Sequence, residues 1–367
     1  MTEEPKQEKI HLFTPGPTPI PEQVLRRMAE PIIHHRSEEF HTIFKRVNTN
    51  LQYLFRTTQP VITLASSGTG GMEATFVNLF SPGDKIISVN NGKFGERWVS
   101  MPKAFGLNVI ELRYEWGDAP TPEDISKALQ KHPDAKAVYL VHCETSTGTY
   151  TDVHSISKVV HSQSSALVCV DGVCSVGGME LRFDDWELDA CVTSSQKGLM
   201  VPPGLAFIAL SNRAVDVMKY SKIPKYYFDL NKALESYQKN DTPWTPAITL
   251  IQGLDASLEM IKDEGIESRW HNHTMRAREV RNGVTLLGMK LFSRYPSDAV
   301  TTVMMPVNIE SKRFHELLRK KYSIYFAKGQ GEFVDKIFRV AHIGYHDKRD
   351  ITIALEALKK VVTESVT

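Results

Sequence analysis

The apolar run Val168-Cys169-Val170 ends in Asp171. Downstream, Lys197 sits in the polar, glycine-containing turn Ser194-Ser195-Gln196-Lys197-Gly198. A lysine amine condenses with an aldehyde to give a Schiff base, and a carboxylate keeps a pyridine nitrogen protonated. Pyridoxal phosphate carries both groups. Taken singly, Lys197 reads equally as a surface lysine and Asp171 as a strand-terminal carboxylate capping the next loop. Their pairing at the ends of two buried strands, and the residues around them, carry the chemistry. A carboxylate closing a buried strand is costly unless paired.

Other residues add to this pair. Ser67-Gly68-Thr69 joins an apolar strand to a helix. There a glycine admits an anion close to the backbone, two hydroxyls donate, and the helix N-terminus favours negative charge. The loop lacks the lysine of a P-loop and the spacing of a dinucleotide fingerprint. Its alternative is an ordinary Gly-rich turn. Phe94, after Asn90-Asn91-Gly92, either stacks on a pyridine ring or packs into the core. Thr145, in Glu144-Thr-Ser-Thr-Gly148, either reaches a ring or substrate oxygen or serves the turn. Arg339 lies in the apolar strand Ile337-Phe-Arg-Val340. It suits a substrate carboxylate in bidentate contact, or an internal salt bridge. His34, His35 and Arg36 read as surface or interface contacts and not as a metal site, because adjacent histidines diverge and a third ligand is missing. His271 and His273, two apart on a helix, read as solvated.

The elements that position these residues follow from periodicity. Residues 1–20 end in Thr14-Pro-Gly-Pro-Thr-Pro19 and read as an extended arm, since proline resists helix and sheet pairing. Helices are expected from Pro21 and over 38–56. Short apolar strands then alternate with helices. Strands are read at 61–65, 85–89, 108–112, 137–142, 167–170, 190–193 and 206–210. Helices are read at 72–79, from 92 through Trp98, at 121–131 (capped by Thr121) and at 152–162. This alternation implies an α/β fold with a mainly parallel seven-stranded sheet covered by helices. Ligands of such sheets collect at the carboxyl ends of the strands, where Ser67–Thr69, Phe94, Thr145, Asp171 and Lys197 fall. After about residue 245 the pattern becomes α+β. The helices are 249–262, 268–287, 312–320 and 347–362; the strands are 300–304 and 337–340. The expected organisation is an arm over 1–20, a large domain over 21–263 and a smaller C-terminal domain over 264–367.

Composition bounds the function. The 367 residues are 41% hydrophobic and 24% charged, with a formal net charge of +1. Such a balance argues against nucleic-acid or membrane-surface binding driven by bulk charge. Cys143, Cys169, Cys174 and Cys191 form no CxxC pair, which fits buried thiols in a reducing compartment and no metal site. No apolar run approaches the ~20 residues of a membrane helix. Met1–Glu8 is polar, unlike a secretory signal, and Ser365-Val-Thr367 is not a peroxisomal tripeptide, so a cytoplasmic location is expected.

Across nearly its whole length the chain resembles the class V pyridoxal-phosphate-dependent aminotransferases, in the alanine–glyoxylate and serine–pyruvate (or serine–glyoxylate) branch. The likeness runs through Phe13-Thr-Pro-Gly-Pro-Thr18, His35-Arg-Ser37, Ser67-Gly-Thr69 and Gly92-Lys-Phe-Gly-Glu-Arg97. It continues through Glu144-Thr-Ser-Thr-Gly148, Val170-Asp171, Ser195-Gln-Lys197-Gly198, Pro202-Pro-Gly204, Thr242-Pro-Trp-Thr-Pro246 and Ile337-Phe-Arg-Val340. It implies fold type I of the pyridoxal-phosphate enzymes. By this resemblance Lys197 forms the Schiff base and shuttles the substrate proton, and Asp171 pairs with the pyridine nitrogen. Ser67, Gly68, Thr69 and Gln196 hold the phosphate or ring oxygen, and Val173 and Thr145 line the cofactor. Phe94 stands where the family often has a stacking tryptophan. Arg339 matches the substrate-carboxylate arginine, with Thr145 beside the substrate. Thr242 and Thr245 match a stretch that reaches the partner subunit's phosphate. The family's homodimer with shared active sites makes the arm a clasp on the other subunit. The implied reaction moves an amino group from alanine or serine to glyoxylate or pyruvate.

Three other activities are weighed. A cysteine desulfurase needs a late mobile-loop cysteine, and no cysteine follows Cys191. A 2-aminoethylphosphonate transaminase needs an added phosphonate-binding group. A non-catalytic subunit retaining the fold sits poorly with the set Lys197, Asp171 and Arg339.

Overall fold

A computed structural model describes residues 10–366. The reading of Met1–Glu8 lies outside the described residues. In chain order the elements begin with β1 (His11–Phe13), α1 (Glu22–Met28), α2 (Glu38–Phe55), β2 (Val61–Ala65), α3 (Gly68–Leu79), β3 (Lys85–Asn90), α4 (Lys93–Ala104), β4 (Asn108–Arg113) and α5 (Pro122–Lys131). They continue with β5 (Ala137–Val141), β6 (Cys143–Glu144), β7 (Thr149–Tyr150), α6 (Val153–Gln163), β8 (Leu167–Asp171), β9 (Ala190–Ser194), β10 (Leu205–Leu210), α7 (Asn212–Met218), α8 (Leu230–Tyr237) and α9 (Ile248–Glu264). The last are α10 (Ile266–Leu286), β11 (Val300–Met304), α11 (Ser311–Tyr322), β12 (Ile324–Lys328), β13 (Ile337–Ala341) and α12 (Lys348–Val366).

Seven strands form the large sheet in the order β2-β10-β9-β8-β5-β3-β4. The pairs β3/β4, β3/β5, β5/β8 and β8/β9 are parallel, and β10 is antiparallel to both its neighbours. Both faces are covered, which is why the strands read as unbroken apolar runs. Along β10, Leu205, Phe207 and Ala209 join a core with α2 and α9, while Ala206, Ile208 and Leu210 join the opposite core with α3 and α4. In the second core Phe76, Trp98 and Tyr139 pack with ring centroids 4.6–5.2 Å apart. Truncating any one of them to alanine would cost about 3–5 kcal/mol.

The second sheet has the order β1-β12-β13-β11 and packs on α10, α11 and α12 through Phe314, Phe326, Phe338 and Leu358. Gly265, at φ +79, separates α9 from α10. Helix α10 starts in the large core with Ile266 and Trp270 and ends in the small one with Val280 and Val284.

Several boundaries differ from the sequence reading. Helix α3 starts at Gly68, capped by Ser67, although its glycines read as loop. Helix α4 runs past Trp98 and contains Pro102. Residues 11–13, ahead of the first proline of the Pro-rich run, add β1 in parallel to β12 of the same chain. Strand β12 was not anticipated. His273 is buried, not solvated: its Nδ1 faces the Arg269 carbonyl at 2.8 Å, and the Gly344 N–H donates to its Nε2 at 3.1 Å. His271 is exposed, as read.

Candidate active site

Asp171, Glu144, Lys197 and the Ser67 loop all follow the carboxyl ends of large-sheet strands. Asp171 is the last residue of β8 and is 4% exposed. Its Oδ1 accepts from Val173 N at 2.9 Å. No lysine, arginine or histidine forms an ion pair with it among the described residues. Burial pushes its pKa up to about 6, against the Val173 hydrogen bond, which lowers it.

Lys197 sits in the tight connection between β9 and β10. Ser195 N donates to Leu205 O (3.0 Å), Ser195 Oγ donates to Pro202 O (2.6 Å), and Met200 N donates to Lys197 O (3.1 Å). These bonds fix the backbone, so the amine can move only by rotation of its own side chain. Lys197 is 9% exposed, and its Nζ donates to the Pro15 carbonyl. The Cys174 thiol donates to the same oxygen at 3.4 Å, and burial pushes that thiol's pKa up.

Arg339 reaches in from β13 of the second sheet. Its Nε donates to Lys328 O (2.9 Å) and its Nη1 to Thr145 O (3.0 Å). Among the described residues no carboxylate pairs with it, so the internal salt bridge weighed as its alternative is not formed. Burial lowers its pKa to about 10, and the nearby Glu144 charge opposes this. A buried guanidinium satisfied only by carbonyls retains attraction for a planar anion.

Sequence reasoning passed over Glu144 as a functional residue, yet it is fully buried and organises the site. Its Oε2 accepts from Phe94 N and Gly95 N, both at 2.9 Å, at the N-terminus of α4. Its Oε1 accepts from Ser146 N (3.0 Å) and Ser146 Oγ (2.6 Å). A carboxylate at this end of a helix is favoured by the dipole and by the free N–H groups. Glu144 therefore fixes where Phe94 begins its turn. A β-carbon on Gly92 would collide with Glu144 Cγ and Cδ. The signal was an acid directly after a buried strand, the same one that marked Asp171.

The residues expected to hold phosphate come together. Ser67 Oγ accepts from Gly70 N at 3.3 Å, and Arg97 Nη1 donates to Thr69 Oγ1 at 3.1 Å. A β-carbon at Gly68 would lie 3.0 Å from Val173 Cγ2 and 3.3 Å from Ser194 Cβ. Phe94 and Val173 pack against the same apolar cluster, and the Arg97 guanidinium stands 4.8 Å over the Phe94 ring. The Gln196 Oε1 is buried without a hydrogen-bond partner. Thr145 is buried and joins the group through its carbonyl.

Thr242 and Thr245 line a cavity with Ala65 and Leu205 and, among the described residues, form no hydrogen bond to the other predicted site residues. Thr242 Oγ1 donates to Trp244 O at 2.8 Å, its carbonyl accepts from Arg36 Nη1 at 2.9 Å, and Thr245 is exposed. Trp244 stacks on Tyr226, and Tyr227 Oη donates to Ala65 O at 3.4 Å, which seats this segment near the end of β2. The His34 and His35 rings lie 4.9 Å apart, tilted by 41°, and Arg36 pairs with Asp241. Among the described residues no three His, Cys, Asp or Glu side chains cluster so as to hold a metal ion. No helix among them is long and apolar enough to cross a membrane.

A doubly covered, mainly parallel sheet brings an amine and a carboxylate to its strand ends, with an arginine reaching in from the second sheet. The chain belongs to the class V aminotransferases, whose family model matches residues 10–331. It is 40% identical to a "Soluble hydrogenase 42 kDa subunit" of Anabaena cylindrica, covering 97% of this chain and 94% of that one. It is 35% identical to an L-aspartate–glyoxylate aminotransferase of Paracoccus denitrificans, covering 91% and 86%. Among solved structures it is similar to an alanine–glyoxylate aminotransferase from Nostoc sp. The TM-score is 0.92 at 28% identity, over 99% of this chain and 98% of that one.

Proposed function

We propose that the protein transfers the amino group of a small amino acid, alanine or serine, to glyoxylate or pyruvate, with pyridoxal phosphate carried on Lys197. The observation that carries this reading is Asp171, a buried carboxylate that forms no ion pair among the described residues and feels the Lys197 charge only as a weaker influence than its burial. A protonated pyridine nitrogen would supply the paired cation. The amine of Lys197, the anion-favouring start of α3 and the unpaired guanidinium of Arg339 fit the remaining groups of cofactor and substrate.

When bound, the cofactor would supply an aldehyde for the amine and a sink for electrons released at the substrate Cα. The chain's own residues do the rest. Lys197 Nζ would take the proton from the substrate Cα and deliver it to the cofactor's former aldehyde carbon, the transfer that leaves the amino group on the cofactor. Asp171 keeps the ring nitrogen protonated, which deepens the sink. Ser67, Gly68, Thr69 and the first N–H groups of α3 hold phosphate, with Gln196 on a phosphate or ring oxygen. Phe94 and Val173 bracket the ring, and Glu144 holds Phe94 in place. Arg339 grips the α-carboxylate beside Thr145.

Thr242 and Thr245, which form no hydrogen bond to Lys197 or to the Ser67 loop of their own chain among the described residues, are assigned to the partner subunit's phosphate in a homodimer. Sedimentation at micromolar concentration tests that assignment; a monomer with full activity rejects it. Glyoxylate as acceptor draws support from the names of the two aminotransferase relatives. The test is a visible spectrum of purified protein through addition of alanine, serine or aspartate and then glyoxylate. Bleaching by the amino acid and recovery with glyoxylate support the reading. A band indifferent to all of them rejects these substrates, and no band after added pyridoxal phosphate rejects the cofactor and revives a non-catalytic role.

A further inference from the structure

Residues 14–18 cross directly above Lys197 and are held at both ends by different domains. At one end β1 pairs with β12, and the Phe13 ring stacks on His346 at 4.9 Å. His346 Nε2 faces Leu12 O at 2.9 Å and its Nδ1 faces Ile343 O at 3.1 Å, so one imidazole ties the strap to the turn after β13. At the other end Thr18 N donates to Gln196 O at 3.1 Å and Thr18 Oγ1 to Lys197 O at 2.9 Å. Between the anchors the Pro15 carbonyl accepts from Lys197 Nζ. Gly16 stands at φ +141, and a β-carbon there would overlap Lys197 Nζ, Cε and Cδ. Thr18 in turn fills the space beside Gly344, where a β-carbon would come within 2.9 Å of it.

We propose that this strap positions Lys197 and couples the amine to the seating of the small domain. Building on the transaminase reading, the Pro15 carbonyl holds the lysine amine while it is free, and Gly16 leaves the room that the amine needs. Thr18 locks the lysine backbone, and His346 fixes the strap from the small-domain side. His346 itself touches neither Lys197 nor Arg339 in the hydrogen bonds above, so any effect of His346 on the amine must pass through the strap. The strap residues are positioning residues; Lys197 does the proton transfer.

The experiment uses the full chain in two states. In protein freed of cofactor, reductive methylation by formaldehyde and cyanoborohydride is followed by mass spectrometry at Lys197, with surface lysines as internal reference. Thr18→Val and His346→Gln should each speed methylation of Lys197 several-fold, and Thr18→Ser should restore the wild-type rate. In loaded enzyme, Thr18→Val should lower kcat about fivefold, with KM unchanged and a larger isotope effect from Cα-deuterated amino acid. Gly16→Ala should lower kcat by about 10²-fold, as expected when a reacting group is displaced by ~1 Å. If Gly16→Ala does not fold, the two Thr18 variants carry the test alone. Variants that melt like wild type and leave both the methylation rate and the isotope effect unchanged overturn the proposal. Faster methylation in a protein whose wild type performs no half-turnover keeps the strap and rejects the transaminase reading instead.

Discussion

Two buried aspartates at opposite ends of β8 are treated in opposite ways. Asp189, just before β9 at the amino end, is saturated: it accepts from Val168 N (2.9 Å) and Ser211 Oγ (2.7 Å), with Arg213 at 3.5 Å. Asp171 lies at the other end of the same β8 that contains Val168, and has one backbone donor and no ion pair among the described residues. The buried arginines repeat the contrast. Arg269 pairs with Glu264 at 2.7 Å and donates to the carbonyls of Gly177 and Gly198. Arg339 has two carbonyls and no carboxylate. One set of charges completes its bonding within the protein and stitches the fold. The other holds bonding capacity in reserve where small molecules bind, at a cost in stability.

Substitutions at matched positions break or sharpen this contrast. The largest effect is expected from Lys197→Ala, with turnover of amino acid down by at least about 10⁴-fold and melting unchanged; a stopped-flow half-reaction reads it. Retained turnover in a clean preparation would overturn its role. Next come the two arginines. Arg269→Ala leaves the Gly177 and Gly198 carbonyls without their donors and should cost about 2–4 kcal/mol in denaturant unfolding. Arg339→Ala should leave stability nearly unchanged and raise KM for amino and keto acids by about 10²-fold. Equal losses of stability at both would erase the distinction.

Asp171 gives a pH signature. Its folded pKa lies above the ordinary carboxylate value, so its contribution to stability is fully present below about pH 4 and is lost as pH rises through about 6. In cofactor-free protein at pH 7.5, Asp171→Asn should therefore gain about 3 kcal/mol, and the gain should vanish below about pH 4. Asp189→Asn should destabilise at the same neutral pH. Thermal melts across pH 4–8 decide it; a flat difference for Asp171→Asn would remove the reserve from that end. The smallest effect is expected at Gly68→Ala, whose β-carbon presses on Val173. Affinity for pyridoxal phosphate should fall about tenfold with little change in melting; unchanged affinity would detach this loop from the phosphate.

The saturated end and the sheet were largely legible, because both faces of β5, β8, β9 and β10 are buried and their apolar runs are unbroken. Asp171 and Lys197 stood out for the same reason, as polar residues closing those runs. What escaped depended on tertiary contact. Strand β1 has three residues and exists through its pairing to β12, so no local period announces it. His273 was misread because spacing along α10 gives no account of what the helix packs against. Glu144 was visible by the Asp171 logic, but four hydrogen bonds to it come from α4 and from its own turn, which only the fold brings together. Thr242 and Thr245 come near the end of β2 in the fold, yet no hydrogen bond within one chain ties them to the other site residues among those described.

The reversed direction of β10 has a consequence for how this protein tolerates rearrangement of its chain. Because β10 starts at the end where its neighbours finish, the peptide bearing Lys197 returns straight into the sheet within ten residues, Ser195 to Gly204, with Ser195 bonded to Leu205. A crossover helix would have given slack; a hairpin gives none. New termini or inserted sequence between 195 and 204 would displace Lys197 and unzip two strand pairs at once, whereas a break at Gly288, where a β-carbon meets open space, spares both sheets. The amine is thus fixed by chain direction before any side chain acts on it.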